Sequence, residues 1–207
     1  LGTTPEQIDY ISRKYDLKNN KVLLTVGALI ERKGQSTVIN ALEKITNSFP
    51  KIKYLIVGDG PDREKLINQV KNSDLDNVVV LTGNIDDVDL SCLYKLCDIF
   101  ILPHRQVQKT LDTEGCPTVF LEASSHGKPV IGGNAGGVSD AIINKKTGYI
   151  IDGTDKEAIA DASIKLLEDG ELASKMGKAG KEYTSSLTPE RNAELIWKLS
   201  ERITKNI

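Results

Sequence analysis

The chain has 207 residues, 39% of them hydrophobic and 27% charged, a balance that supports one large domain or two small ones around a real core. Its 27 basic and 29 acidic side chains nearly cancel, which excludes a bulk attraction to nucleic acid, and no apolar run reaches the length of a membrane-spanning helix. Cys92, Cys97 and Cys116 are odd in number and lack metal or redox spacing. They read as reduced thiols of a cytosolic protein, two of them in the core.

Thr4-Pro5 opens a helix near 5–15, with a cap residue followed by proline at the first helical position. Apolar runs then alternate with amphipathic segments. The runs "KVLLTVG" (21–27), "KYLIVG" (53–58), "NVVVLTG" (77–83), "DIFILP" (98–103), "PVIGG" (129–133) and "GYII" (148–151) are continuous rather than alternating, as in strands covered on both faces. Between them, helices are predicted near 35–48, 62–73, 87–96, 117–126 and 137–143, and after them near 155–168, 171–184 and 189–204. The βαβα order argues an α/β, Rossmann-like, doubly wound parallel sheet of about six strands with extra C-terminal helices. Residues 1–20 are assigned to a linker with its leading helix, 21–185 to the Rossmann-like domain, and 186–207 to a C-terminal helix.

Ligands of open parallel sheets bind at the carboxyl ends of the strands. Five strand exits carry glycine or proline: Gly27, Gly58-Asp59-Gly60-Pro61, Gly83, Pro103 and Gly132-Gly133. One such exit is ordinary turn chemistry; five on one edge suggest a site.

Two segments near that edge carry charge of interest. Arg32 and Lys33 precede the helix that begins near Gly34-Gln35. Cations there oppose the positive end of the helix dipole, a disfavoured placement that an anionic ligand reverses. Local compensation by Glu31 is the simpler alternative. In "DTEGCPTVFLEASSHGKPVIGGNAGG", Glu114 and Glu122 lie eight positions apart around a helix start at Pro117. Eight residues at helical rise span roughly 12 Å. A nucleoside diphosphate sugar would set its ribose and hexose on either side of the diphosphate, with one carboxylate for each. A glycosidase pair, at roughly 5–9.5 Å, and two merely solvated charges remain the alternatives. Gly136 and Gly137 precede the predicted helix at Val138, and the dinucleotide pattern G-x-G-x-x-G is not matched. His104 and His126, 22 residues apart, form no metal spacing. His126 reads as structural; His104, leaving a strand toward the cleft, is a candidate substrate contact, and Arg105 and Lys109 make a basic loop for a phosphate-bearing acceptor.

Taken together, "TVGALIERKG", "YLIVGDGPDREKL", "VVLTGNIDDVDLSCLYKLCDIFILPH", "EGCPTVFLE" and "EASSHGKPVIGGNAGGVSDAI" resemble the C-terminal, donor-binding domain of the retaining GT-B glycosyltransferases of family 4, over most of 21–183. The loop "HRQVQKTLDTEG" resembles, more weakly, the branch that mannosylates lipid acceptors. The resemblance implies one half of a GT-B fold and transfer of a hexosyl group from a GDP- or UDP-linked sugar to a hydroxyl acceptor. Glu122 would bind ribose and Glu114 the hexose. The backbone of Gly115, Cys116, Pro117, Thr118 and Val119 would face sugar and diphosphate. Lys33, with Arg32, would neutralise the leaving diphosphate. The base would sit at Asn84-Ile85, with Gly27 and Gly58 clearing space. It also implies no metal and no further cofactor, an acceptor that is lipid-linked or a saccharide, and an N-terminal partner domain lying outside this chain, without which transfer would be inefficient. The location implied is cytoplasmic, with the full-length enzyme peripheral to the inner membrane face. The family's arginine after the first-strand glycine is Ala28 here: Arg32 substitutes, or affinity is lower, or activity is lost. A non-catalytic nucleotide-binding subunit and a nucleotide-sugar 2-epimerase are the competing readings.

Overall fold

The computed structural model describes residues 2–107, 115 and 117–187. Six strands, β1 (Lys21–Val26), β2 (Ile52–Val57), β3 (Val79–Gly83), β4 (Ile99–Leu102), β5 (Val130–Gly133) and β6 (Gly148–Ile151), form one sheet. Its order is β3-β2-β1-β4-β5-β6, and every pairing is parallel. The predicted strands thus form within a residue or two of their expected ends. The order reverses between β1 and β4, the place where a doubly wound sheet opens a crevice.

Strand side chains alternate between two faces, and each face meets its own set of helices. Leu23, Tyr54, Ile56, Ile99, Ile101 and Ile131 pack with α2 (Gln35–Ser48), α3 (Arg63–Asn72) and α6 (Lys156–Glu168). Leu24, Leu55, Val57, Phe100, Leu102 and Val130 pack with α1 (Pro5–Lys14), α4 (Asp87–Leu96) and α5 (Thr118–Ser125). Ile11 of α1 is fully buried, so the leading helix is part of this second layer. Thr4 and Gln7 form a reciprocal cap at its start. Cys92 and Cys97 lie in the same layer; Cys116 lies outside the described residues, as does the helix expected at 189–204.

The sheet has a polar stitch at its centre. Thr25 donates to the Ile101 carbonyl, so the buried Tyr54 hydroxyl, 2.8 Å away, donates to Thr25. This ties β2, β1 and β4 together with no buried donor or acceptor left over. The last helix described, α7 (Gly170–Ser185), lies against α5. Gly177 and Gly180 make that approach possible: a Cβ at Gly177 would overlap the Gly127 carbonyl, and one at Gly180 would sit 3.1 Å from Ser124 Oγ.

One predicted helix is not formed. Residues 137–143 hold a single 3-10 turn, Val138–Asp140. The chain turns instead, because Thr147 Oγ1 takes the Ile143 amide, Lys145 adopts a left-handed φ of 63° and β6 begins at Gly148. Side-chain competition of this kind diverts a backbone from helix. Among the described residues, no helix is long and apolar enough to cross a membrane.

Candidate functional site

The carboxyl edge is built from loops pressed together backbone to backbone. A Cβ at Gly34 would overlap the Pro103 carbonyl, and one at Gly133 the His104 carbonyl. Gly34 also needs its left-handed φ of 77° to join a 3-10 turn (Glu31–Lys33) to α2. Gly34 and Gly133 are therefore required, at these places, by loop packing. The Gly58 position, expected to clear room for a base, is filled on its Cβ side by the Gly27 carbonyl.

Arg32 and Lys33 stand in that 3-10 turn, which Gly34 separates from the start of α2 at Gln35. The Lys33 stem lies across the exit of β1: its Cδ and Cε are 3.7 Å from where a Cβ of Gly27 would be. Ala28 beside it is exposed, and its carbonyl accepts from Gln35 Nε2 at 3.0 Å. Lys33 is thereby placed at the switch point between β1 and β4.

Glu122 lies on α5, whose first residue is Thr118; Pro117 occupies the cap position, one residue earlier than expected. The amides of Thr118 and Val119 open the helix and have no carbonyl one turn earlier within it to receive them. The Glu122 carboxylate points back toward them, with Thr118 Oγ1 3.5 Å from Oε1, the direction helical side chains take. Its Oε2 accepts from the Tyr94 hydroxyl at 2.9 Å. Glu122 is exposed, so its remaining lone pairs face solvent at the amino end of α5. Tyr94 was not singled out from sequence; its position in an apolar helical run reads as core alone. Burial, and then the charge of Glu122, push its hydroxyl pKa well above the usual phenol value, so it stays protonated and donating.

Asn84 and Ile85 leave β3 on the same edge, two strands from β1. Asn84 is exposed, and Asp86 after it caps α4 by accepting from the Asp89 amide at 2.8 Å. Gly137 donates its amide to the Gly115 carbonyl at 3.2 Å, which joins the loop after β5 to the approach to α5. Glu114, Cys116 and Lys109 lie outside the described residues.

Two expected contacts are corrected. His104 has no exposed surface; its Nδ1 is 3.1 Å from the Leu102 carbonyl and its Nε2 2.9 Å from that of Ala135. It is a tie between the β4 and β5 exits instead of a substrate contact. Arg105 donates to Thr37 Oγ1 at 2.8 Å and sits 3.7 Å from Glu31; these contacts hold its loop against α2, so it is not a solvent-facing cation awaiting an acceptor. His126, read as structural, stacks on Tyr94 and lies 2.9 Å from the Glu122 carbonyl. Among the described residues there is no cluster of three or more metal-ligating side chains. The surface cleft of about 770 Å³ lined by Asn40, Glu43, Asp74 and Lys156 lies on the outer flank of α2.

Residues 7–183 match the family model described as glycosyl transferases group 1. The chain is 35% identical over 176 residues to a GDP-mannose-dependent alpha-(1-6)-phosphatidylinositol monomannoside mannosyltransferase of Mycobacterium tuberculosis, covering 85% of this chain and 46% of the relative. It is 29% identical to the 2-deoxystreptamine N-acetyl-D-glucosaminyltransferase of Niallia circulans, covering 77% and 39%. Among solved structures, Anabaena Alr3699/HepE in complex with UDP superposes with a TM-score of 0.81 at 22% identity, over 96% of this chain and 54% of that one, a likeness of fold. The chain thus spans about half the length of the curated relatives it matches. With the family model running from α1 to α7 through every element of the carboxyl edge, the chain belongs to the group 1 glycosyl transferases.

Proposed function

We propose that this chain is the donor-binding domain of a retaining, family 4 glycosyltransferase of the GT-B type. It would transfer a hexosyl group from a nucleoside diphosphate sugar to a hydroxyl acceptor, with a second, acceptor-binding domain N-terminal to residues 21–185. The observation that carries the reading is the pairing, on one sheet edge, of Lys33 across the β1 exit with an exposed Glu122 carboxylate at the amino end of α5. A diphosphate laid between them meets a cation and the first amides of a helix, the two features that stabilise anionic oxygens. Glu122 accepts from ribose hydroxyls and Glu114 from the hexose. The base lies at Asn84-Ile85. Departure of the diphosphate is assisted by Lys33, Arg32 and the helix amides, a mode of charge stabilisation that calls for no metal or other cofactor. The 35% identity to enzymes named as GDP-mannose-dependent favours a GDP-linked donor and a glycolipid acceptor, and an acceptor of that kind supports a peripheral place for the full-length enzyme at the cytoplasmic membrane surface.

Isothermal titration of the 207-residue chain with GDP, UDP and ADP, and with GDP-mannose and UDP-glucose, tests this. Binding of GDP or UDP below millimolar concentration, weakened in Glu122→Ala, is the expected result. Silence with every nucleotide overturns it.

A further inference from the structure

At the candidate site α4 reaches the Glu122 carboxylate of α5: the Tyr94 hydroxyl donates to Glu122 Oε2 at 2.9 Å. The Tyr94 ring is 3% exposed and held on two sides. Phe100 packs at 5.8 Å between ring centroids, and His126 stacks at 5.3 Å with 22° between the planes. His126 is fixed in turn, with Nδ1 2.9 Å from the Glu122 carbonyl and Nε2 3.3 Å from Ser91 Oγ. A phenol so packed cannot swing away from the carboxylate.

A core aromatic gains nothing in packing from a hydroxyl, and burying that hydroxyl costs free energy unless it is bonded. Here its partner is an exposed side chain that water could satisfy unaided. The contact is therefore better placed to order Glu122 than to stabilise the core. A glutamate on an open helix face samples many rotamers, and fixing it at the moment of binding weakens affinity. A carboxylate offers about four acceptor positions. Tyr94 takes one on Oε2, and Thr118 approaches Oε1 at 3.5 Å, so both oxygens keep lone pairs open to the outside.

We propose that Tyr94 is a positioning residue for nucleoside recognition, holding the Glu122 carboxylate so that both its oxygens face the vicinal 2′- and 3′-hydroxyls of a ribose. The inference rests on the donor-binding reading of Glu122 and adds the residue that orients it. It also links the two ends of the nucleoside, because α4 begins at Asp87, directly after the Asn84-Ile85 loop.

The test uses calorimetry on the 207-residue chain with GDP and 2′-deoxy-GDP, and with UDP and 2′-deoxy-UDP, for the wild type and Tyr94→Phe. The wild type should prefer each ribonucleotide by about tenfold, as expected when a charge-assisted hydrogen bond is made. In Tyr94→Phe the ribonucleotide affinity should fall about fivefold while the deoxynucleotide affinity stays within about twofold, so the preference collapses. In a Glu122→Ala background, Tyr94→Phe should produce no additional loss. A smaller folded fraction would lower the stoichiometry for both nucleotides alike and leave their affinity ratio unchanged, so the ratio is the decisive reading. A Tyr94→Phe chain that keeps the wild-type ratio overturns the positioning role and leaves the donor reading standing. A wild type that binds neither ribonucleotide overturns both.

Discussion

The carbonyl oxygen of Gly27 fills the space beside Gly58 in which any side chain would begin, joining the exits of β1 and β2 backbone to backbone. Gly58 also holds a φ of 130°, which L-residues rarely adopt. Gly58→Ala must therefore separate the two loops and strain the chain together. It should destabilise the domain by about 2–4 kcal/mol, in the range of severe backbone substitutions. Gly127 offers the control. Its φ is 73° but nothing lies within 4 Å of its Cβ position, so Gly127→Ala should cost only about 1–2 kcal/mol of left-handed strain. Urea midpoints of the two variants at constant slope give the comparison.

Two of the three glycines of helix α7 carry opposite expectations. A Cβ at Gly177 would overlap the Gly127 carbonyl, while one at Gly170 meets nothing within 4 Å. Gly170→Ala should stabilise the chain by about 0.5 kcal/mol through helix propensity. Gly177→Ala should destabilise it by more than about 2 kcal/mol, because α7 must lift off α5 and the cost of overpacking applies. Thermal melts of both variants would show shifts of opposite sign. Because α5 carries Glu122, Gly177→Ala should also weaken nucleotide binding, although it lies far from the strand exits.

Lys33 lies across the β1 exit, where the proposed donor would place its diphosphate. Lys33→Ala should weaken GDP binding by about tenfold, roughly the worth of one charge-assisted contact, and leave guanosine binding unchanged. Raising the ionic strength should narrow the difference between wild type and variant, because an exposed charge pair is screened. Equal losses for GDP and guanosine would move Lys33 from the diphosphate to the base or to the fold.

The strands were legible because each is an apolar run of four to seven residues, five of the six closed by glycine or proline, and continuous apolar runs are what a parallel sheet covered on both faces requires. The candidate site was legible only in part. Glu122 and Lys33 reveal themselves by charge next to a helix start. His104 misleads because a polar residue at a strand exit looks solvent-facing, and only the carbonyls of Leu102 and Ala135 show where it points. Tyr94 was invisible as a site residue, since its partner lies 28 positions away and the ring alone satisfies the pattern of α4. The helix expected at 137–143 failed because periodicity does not register the Thr147 side chain that takes the Ile143 amide.

Alkaline pH should unfold the chain in a way that one thiol helps to set. Burial pushes Cys97 from its ordinary 9.0 up to about 12. The folded state then holds its proton where the unfolded chain has released it. A raised folded value contributes stability that is whole below pH 9 and drains away as pH climbs toward 12, at up to about 1.4 kcal/mol per unit for the one group. Burial likewise pushes up Tyr54 and Tyr94, which extends the decline above pH 10, their ordinary value. Cys97→Ala removes only the first part. It should lose about 1 kcal/mol near pH 7 from the vacated sulfur volume, yet fall less steeply than the wild type between pH 9 and 10, so that the two stability curves converge. Urea titrations at half-unit steps from pH 7 to 10.5 would show this, and parallel curves would mean that Cys97 ionises as readily in the folded chain as in the unfolded one.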